Sequence, residues 1–490
     1  MVPLPEKVLH LPAVFMNNSG KLIVALIFIT IVIVGQKALK KRNFAAIILL
    51  ICLLSLSFSH PQEQVQSKFL ELENGLKIFL IERHTLPLIN IAFAANLGTK
   101  DESDETSGLV HILEHYILFR GTELRSGDEI SQDMRRHGSY FNAHTGRDLA
   151  VFELSLPSEH VDFALRNQKE ILFNIKLTQE ELDKEKKVIL EELSQIQDDP
   201  RKYATSLVYQ NLFKNHPYQK PIYGKQEIIE AATVEQIEKF YKKYFAPSNC
   251  ALAVVGDFNM EKMEEKVKEI FGDLKNKGFT SSSYEKVTPL KRTVEVKHEM
   301  DVNQAYLVIG MTGPDYNSPD QYAMHILIEI FSRGVNPMLH SRLRGRRLLA
   351  DTISMSYGTH RFGGAILIYL TLDPKKIKSA KRETIQFLKQ SRNQNYSMDD
   401  HYGDSQFYAF DFLQSAINQI KFRVHQSQEK GLLLATSLVR FMLLNEDPDQ
   451  GSYLDSIGKV KSTELRKIAS KYFSKNRYVI VAIVPKKKNN

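Results

Sequence analysis

The residues whose types and spacing are best suited to chemistry are His111, Glu114 and His115, in the string His111-Ile112-Leu113-Glu114-His115. On an α-helix, side chains four positions apart share a face. Both imidazoles therefore point the same way, and Glu114 sits beside them. Imidazole is a common Zn²⁺ ligand, and two from one helical turn fix one edge of a tetrahedral site. A carboxylate next to them can take a proton from metal-bound water. The order is the reverse of the H-E-x-x-H metal motif. With 15 histidines in 490 residues, a chance H-x-x-E-H is expected only roughly 0.03 times per chain. A metal site therefore outweighs a helix with two solvated histidines.

A catalytic metal needs a third protein ligand and an open position. The segment 177–197 (LTQEELDKEKKVILEELSQIQ) supplies the candidates. Thr178 and Glu181 predict a capping box at its start. Leu182, Ile189, Leu193 and Ile196 form an apolar stripe that docks the helix on a core. Glu192 flanks that stripe, Glu185 lies two turns earlier on the same side, and Glu191 points to the polar face. Periodicity alone does not separate Glu192 from an ordinary surface glutamate.

The elements that must hold these residues alternate between strand and helix patterns. An Asn74–Gly75 turn joins strand-like residues 69–72 and 76–81 into a hairpin, and residues 88–97 form a further strand. Helical spacing covers 108–119, 126–137, 157–173 and 178–197. A strand follows at 250–255 and a helix at 260–271. Residues 275–289 are polar, carry three consecutive serines and read as a linker. The order then recurs: strands 293–297 and 305–311, helix 321–331, strand 364–372, helix 375–392, two more helices and a final strand at 478–484. The predicted fold class is α+β, with two related units of about 200 residues: 68–274, carrying the candidate metal site, and 290–490.

Composition bounds the rest. Hydrophobic residues make up 43% and charged residues 25% of the chain, which excludes a largely disordered or fibrous protein. Two cysteines exclude a disulfide framework and a cysteine-ligated metal. Of the formal net charge of +8, residues 1–59 contribute +5, through Lys7, Lys21, Lys37, Lys40, Lys41 and Arg42 against Glu6. The body is nearly neutral, so composition gives nucleic-acid binding no support. Within residues 1–60, two apolar runs, 22–35 and 44–59, flank the basic cluster 37–42. They read either as a secretory signal built on the second run or as a membrane-inserted hairpin with the basic cluster cytoplasmic. Both readings place residues 60–490 outside the cytoplasm, exported, periplasmic or membrane-anchored. Cys52 in the second run reads as a core-of-membrane cysteine rather than a lipidation site.

The chain resembles the pitrilysin family of zinc peptidases, in the branch of mitochondrial processing peptidase and its bacterial relatives. The resemblance spans essentially all of 68–490. It is strongest in GTKDESDETSGLVHILEHYILFRGT (98–122), GSYFNAHTGRD (138–148), EKKVILEEL (185–193) and VVGDF (254–258). It implies two homologous α/β-sandwich-type domains, the second completing a substrate chamber, and one Zn²⁺ per chain held by His111, His115 and Glu192, the glutamate 77 residues past the second histidine. It also implies Glu114 as general base and Glu185 as an acidic residue behind the ligands. Residues 139–145 would be an edge strand that takes extended peptide by strand addition, with Asn142 and Ala143 matching the family's Asn-Ala step. His144 in that stretch reads as a strand side chain at the cleft rim.

One segment departs from the family. An Arg and a Tyr seven residues apart in the second half are expected to face the active site and hold substrate. Arg344 matches, but Asp351 stands in the tyrosine position, and Tyr357 is six residues displaced. Two arrangements fit: the zinc-bearing half of a heterodimer whose homologous partner supplies the pair, or a homodimer in which this position has drifted. The implied activity is endopeptidase cleavage of extended or unfolded peptides. The competing class is a non-catalytic assembly subunit on the same scaffold, which loss of a ligand would signal.

Overall fold

The computed structural model describes residues 65–276, 278–279, 282–334, 336–397, 411–445, 453–473 and 477–486. The apolar runs at 22–35 and 44–59 lie outside these residues. Among the described residues no helix is long and apolar enough to cross a membrane.

Six strands form the first sheet: β1 (Gln66–Glu71), β2 (Lys77–Glu82), β3 (Leu88–Ala95), β4 (Tyr140–Thr145), β5 (Ala150–Pro157) and β6 (Cys250–Gly256). Their spatial order is β1-β2-β6-β3-β5-β4, antiparallel except for the parallel β2–β6 pair. Five strands form the second: β7 (Val294–Met300), β8 (Ala305–Gly313), β9 (Thr352–Gly358), β10 (Gly364–Leu372) and β11 (Val479–Pro485), in the order β7-β11-β8-β10-β9. Here the β11–β7 pair is the parallel one. From β2 onward the two sheets correspond strand for strand, so the fold is two homologous α/β halves.

The helices repeat in the same order. In the first half α1 (Leu109–Phe119) follows β3, and α2 (Gln179–Asp198) and α3 (Pro200–Leu212) follow β5 and the helix Val161–Phe173. In the second half α4 (Asp320–Ile328) follows β8, and α5 (Phe412–Glu429) and α6 (Gly431–Leu444) follow β10 and the helix Ile377–Gln390. Side chains alternate between the faces of a strand. Ile78, Leu80, Ile91, Phe93 and Leu252 pack against helices of the first half. Phe79, Ile81, Ala92, Ala94 and Val255 face the other way and are covered by Ala435, Val439 and Leu444 of α6. Reciprocally, Val308, Leu367, Val481 and Ile483 of the second sheet are covered by Ala204, Val208 and Leu212 of α3. Each half lends one helix to the other's sheet, which joins the halves through two apolar layers.

Several elements differ from expectation. Residues 157–160 do not open a helix: β5 runs to Pro157, a short 3₁₀ turn follows, and the helix starts at Val161. Among the described residues between 411 and 473 there are four helices rather than two. The segment 275–289 has no helix or strand among its described residues, yet it is stitched to both halves. Tyr284 donates to Asp101 (3.1 Å), the Val287 amide to the Phe362 carbonyl (2.8 Å), and Lys286 to Asp315 (3.0 Å).

A buried polar knot also spans the halves. Asp148 accepts from the Tyr218 hydroxyl (2.5 Å) and the Arg361 amide (3.1 Å), and the His360 ring lies 3.7 Å away. Burial opposes the Asp148 charge, but His360, Lys100 and Tyr218 overcome it and hold the carboxyl down at about 2. Burial lowers the pKa of His360. Both groups bind protons more readily unfolded, so stability falls as pH falls. The Asp148 contribution, about 2 kcal/mol, is complete above pH about 4 and lost towards pH 2. Asp148→Asn is expected to lower the urea midpoint at pH 7, with the gap to the parent narrowing as pH drops towards 2. A gap independent of pH would contradict this.

Candidate metal centre and active site

Helix α1 begins abruptly at Gly108, whose φ of +108° is left-handed backbone that glycine adopts without strain. The donors of its first turn are met by Glu102, whose Oε1 accepts from the amides of Gly108 and Val110, each at 3.0 Å. Burial pushes the Glu102 carboxyl up to about 8 against the pull of those two amides. Nothing in the sequence flags Glu102, because it reaches the amides it accepts from across a loop and outside capping-box spacing.

The buried rings of His111 and His115 lie edge to face with centroids 4.6 Å apart, as i,i+4 spacing requires. Helix α2 packs beside α1 and brings Glu192 Oε2 to 3.7 Å from His111 Nε2 and 3.4 Å from His115 Nε2. One ligand atom from each of these residues lies within 4.8 Å of the others, and among the described residues they form the one such group. Four ligands about 2.0–2.1 Å from a tetrahedral zinc sit roughly 3.4 Å apart. Two imidazole nitrogens and a carboxylate at this spacing fit Zn²⁺. Burial, then the neighbouring His115, lowers His111 to about 3, so its ring is neutral and keeps a lone pair for a metal. Its Nδ1 is buried without a hydrogen-bond partner among the described residues.

Residues behind this triad fix the orientation of the His115 ring. His115 Nδ1 lies 3.0 Å from Glu185 Oε2, which turns Nε2 towards Glu192. Burial works against a charge on His115, but Glu185, Glu114 and Glu192 outweigh it and raise its pKa. Glu185, itself buried, is held from the other side by Arg120, whose Nε donates at 2.5 Å and whose Nη1 reaches Glu181 at 2.9 Å. That ion pair changes the expected cap of α2. The Thr178 hydroxyl accepts from the Glu181 amide (3.3 Å), but the Thr178 amide donates to the Tyr116 hydroxyl (2.7 Å), and Glu181 is left for Arg120. Arg120, legible in no motif, is thus a positioning residue. Arg120→Ala is expected to weaken zinc affinity about 10–100-fold, measured by competition with a chromogenic chelator. Unchanged affinity would rule out this role.

Glu114 is buried on the same helix turn as His111 and His115. Burial raises its pKa, with Thr145 and His115 opposing and Glu192 adding to the rise. Thr145 ends β4, which is the outer strand of its sheet and among the described residues pairs only with β5. Within β4, Ala143 is buried and Asn142 exposed, and the Asn142 Oδ1 accepts from the Ala143 amide at 2.9 Å. His144 is exposed on the same strand, outside the metal group. Tyr223, not singled out by its sequence, stands over the site. Its ring meets His111 edge to face at 5.0 Å, and burial, then Glu192 and Glu114, raises its pKa.

The structure does not bring Arg344 to this group. Arg344 is exposed in the π-helical turn Ser341–Arg346, and no hydrogen bond or ion pair joins it to the first half among the described residues. Asp351 is exposed just before β9. Tyr357 cannot stand in, because its ring is largely buried and its hydroxyl donates to the Pro314 carbonyl at 2.8 Å. At the second-half counterpart of the triad of His111, His115 and Glu192, the turn after α4 meets α5 through buried Glu329 and Arg423. Arg423 Nη1 donates to Glu329 at 2.9 Å, so a guanidinium pairs there with the buried carboxylate.

Comparison with known proteins agrees with this geometry. Residues 77–226 match the family model described as insulinase (peptidase family M16), and residues 231–402 match the one described as the peptidase M16 inactive domain. An uncharacterized zinc protease of Rickettsia bellii is 25% identical over 82% of this chain and 94% of its own length. One from Rickettsia felis is 27% identical over 64% of this chain and 75% of its own. Among solved structures, a protease from Helicobacter pylori has the same fold, with a TM-score of 0.78 at 21% identity, covering 86% of this chain and all of that one. The M16 inactive domain protein from Pseudomonas fluorescens follows with a TM-score of 0.74 at 19% identity, over 86% of this chain and 98% of that one. With an M16 peptidase match over the half that carries His111, His115 and Glu192 and an M16 inactive-domain match beginning at residue 231, the chain belongs to peptidase family M16, the insulinase family.

Proposed function

We propose that the chain is a zinc-dependent endopeptidase that cleaves extended or unfolded peptides. The observation that carries this reading is the convergence of three ligand atoms within 4.8 Å beside a buried carboxylate on the same helix turn. His111, His115 and Glu192 would hold Zn²⁺, which when bound acidifies water and polarises a carbonyl. Glu114 takes the proton from the attacking water and later gives it to the leaving amine. Its raised pKa strengthens it as a base. Arg120 and Glu185 keep the His115 ring in the ligating orientation. The free edge of β4 offers main-chain donors and acceptors to an extended peptide, a mode with loose sequence specificity. Asn142 must release the Ala143 amide for that pairing, and Ala143 leaves room for the incoming backbone.

The exposed side chains of Arg344 and Asp351 make no hydrogen bond or ion pair among the described residues, which supports a dimer closing over the site, with a homologous subunit or a second copy. The apolar runs and basic cluster of residues 1–60 support placement of the catalytic half outside the cytoplasm, and external protease digestion of intact cells tests it.

The ligand set is tested by metal analysis of the purified full chain beside His111→Ala and Glu192→Gln. One zinc per parent chain and none in either variant is the expected result. Zinc retained in both variants would contradict the assignment.

A further inference from the structure

The loop that carries Tyr223 is locked onto the start of α1. Gly224, at φ +81°, and Gly108, at φ +108°, meet backbone to backbone. A Cβ on Gly224 would stand 2.4 Å from Gly108 Cα and 2.8 Å from the Ser107 carbonyl oxygen. Only two glycines permit this approach. Around it, the Lys225 amide donates to the Ser107 carbonyl (3.4 Å), the Lys225 ammonium reaches Asp104 (3.1 Å), and Lys220 donates to the Glu102 carbonyl. The residue before Gly224 is therefore positioned by the same backbone that starts the metal helix.

That residue places a half-buried phenol against the face of the site. The Tyr223 ring contacts His111 at 87° and 5.0 Å, the charges of Glu192 and Glu114 both reach it, and its hydroxyl has no hydrogen-bond partner among the described residues. A packing role against His111 requires only the ring. A phenol is protonated at neutral pH, and an unpaired O–H fixed beside a reacting centre is a preorganised donor.

We propose that Tyr223 is a catalytic residue that donates a hydrogen bond to the oxyanion formed from the scissile carbonyl. The assignment rests on the peptidase reading and names a group within that site. As water oxygen bonds to the carbonyl carbon, the C=O π pair moves onto oxygen, where the Tyr223 O–H meets it, and the water proton goes to Glu114. The pair then re-forms the C=O bond, the C–N bond breaks, and Glu114 returns the proton to the amine nitrogen. Tyr223 keeps its own proton throughout.

The test is Tyr223→Phe in the full chain, which keeps the ring on His111. Zinc content and melting temperature should match the parent. The kcat should fall about 10–100-fold with KM within threefold, at or below the lower end for loss of one oxyanion donor because the site is partly open. Binding of a phosphinic peptide, a tetrahedral mimic, to the zinc-loaded protein should weaken by a similar factor in calorimetry. A phenylalanine variant that cleaves and binds like an active parent overturns the assignment alone. A zinc-loaded parent that neither cleaves peptides nor binds the phosphinic peptide overturns the peptidase reading, and this assignment with it.

Discussion

Glu114→Gln is expected to lower kcat/KM for peptide cleavage by about 10³-fold while zinc content stays at the parent value. A positioned general base contributes typically 10²–10⁴-fold, and Glu114 is placed for the larger part of that range. It is buried on the same helix turn as His111 and His115, its pKa is raised, and it borders the β4 edge where substrate would lie. Glutamine has nearly the same shape, so the packing of α1 against β4 survives and the loss reports on proton transfer. Glu192→Gln should behave differently, because it removes a proposed metal ligand and is expected to take zinc and activity together. The two variants thus separate base from ligand, and a Glu114→Gln enzyme as active as the parent would remove the base from the mechanism.

The second large effect is on stability. Arg423→Ala should cost the fold about 2–4 kcal/mol, read from chemical denaturation, because Glu329 is left buried with its charge uncompensated. Removing one partner of a buried pair typically costs about 3–5 kcal/mol. The Arg423 side chain is 39% exposed against 2% for Glu329, so water offsets part of that loss. The double variant Glu329→Gln/Arg423→Leu should recover most of it, since no buried charge remains. This pair stands where the first half has His111, His115 and Glu192. The same helix pairing is therefore held by a metal-ready triad in one half and by an ion pair in the other. A single Arg423→Ala variant as stable as the parent would show that the pair does not hold α4 and α5 together.

Much of the first half was legible because its signals are local. His111 and His115 share a helix face by spacing alone, and the hairpin of β1 and β2 follows from the Asn74–Gly75 turn. Glu192 and Glu185 were separable from other glutamates of α2 only through family resemblance. Both carboxylates reach across to α1, and one-helix periodicity does not report on a neighbouring helix. The same limit hid Arg120 and Glu102, whose partners lie 65 residues away and across a loop. Helix α3 escaped notice because its buried residues, Ala204, Val208 and Leu212, form a narrow stripe that meets the other half's sheet. Strand β5 was missed because Ala150, Val151 and Phe152 are all buried between helices of both halves, so strict alternation fails there. The placement of Arg344 did not follow from its motif. Matching a family string fixes a position in the chain, whereas facing the site depends on which surface the turn 341–346 presents.

Cleavage of mixed, unstructured fluorogenic peptides by the purified full chain, before and after chelation, decides whether the chain is a zinc peptidase. Cleavage that chelation abolishes and that one equivalent of zinc restores is the expected result. One zinc bound per chain with no cleavage of any peptide would contradict the peptidase reading.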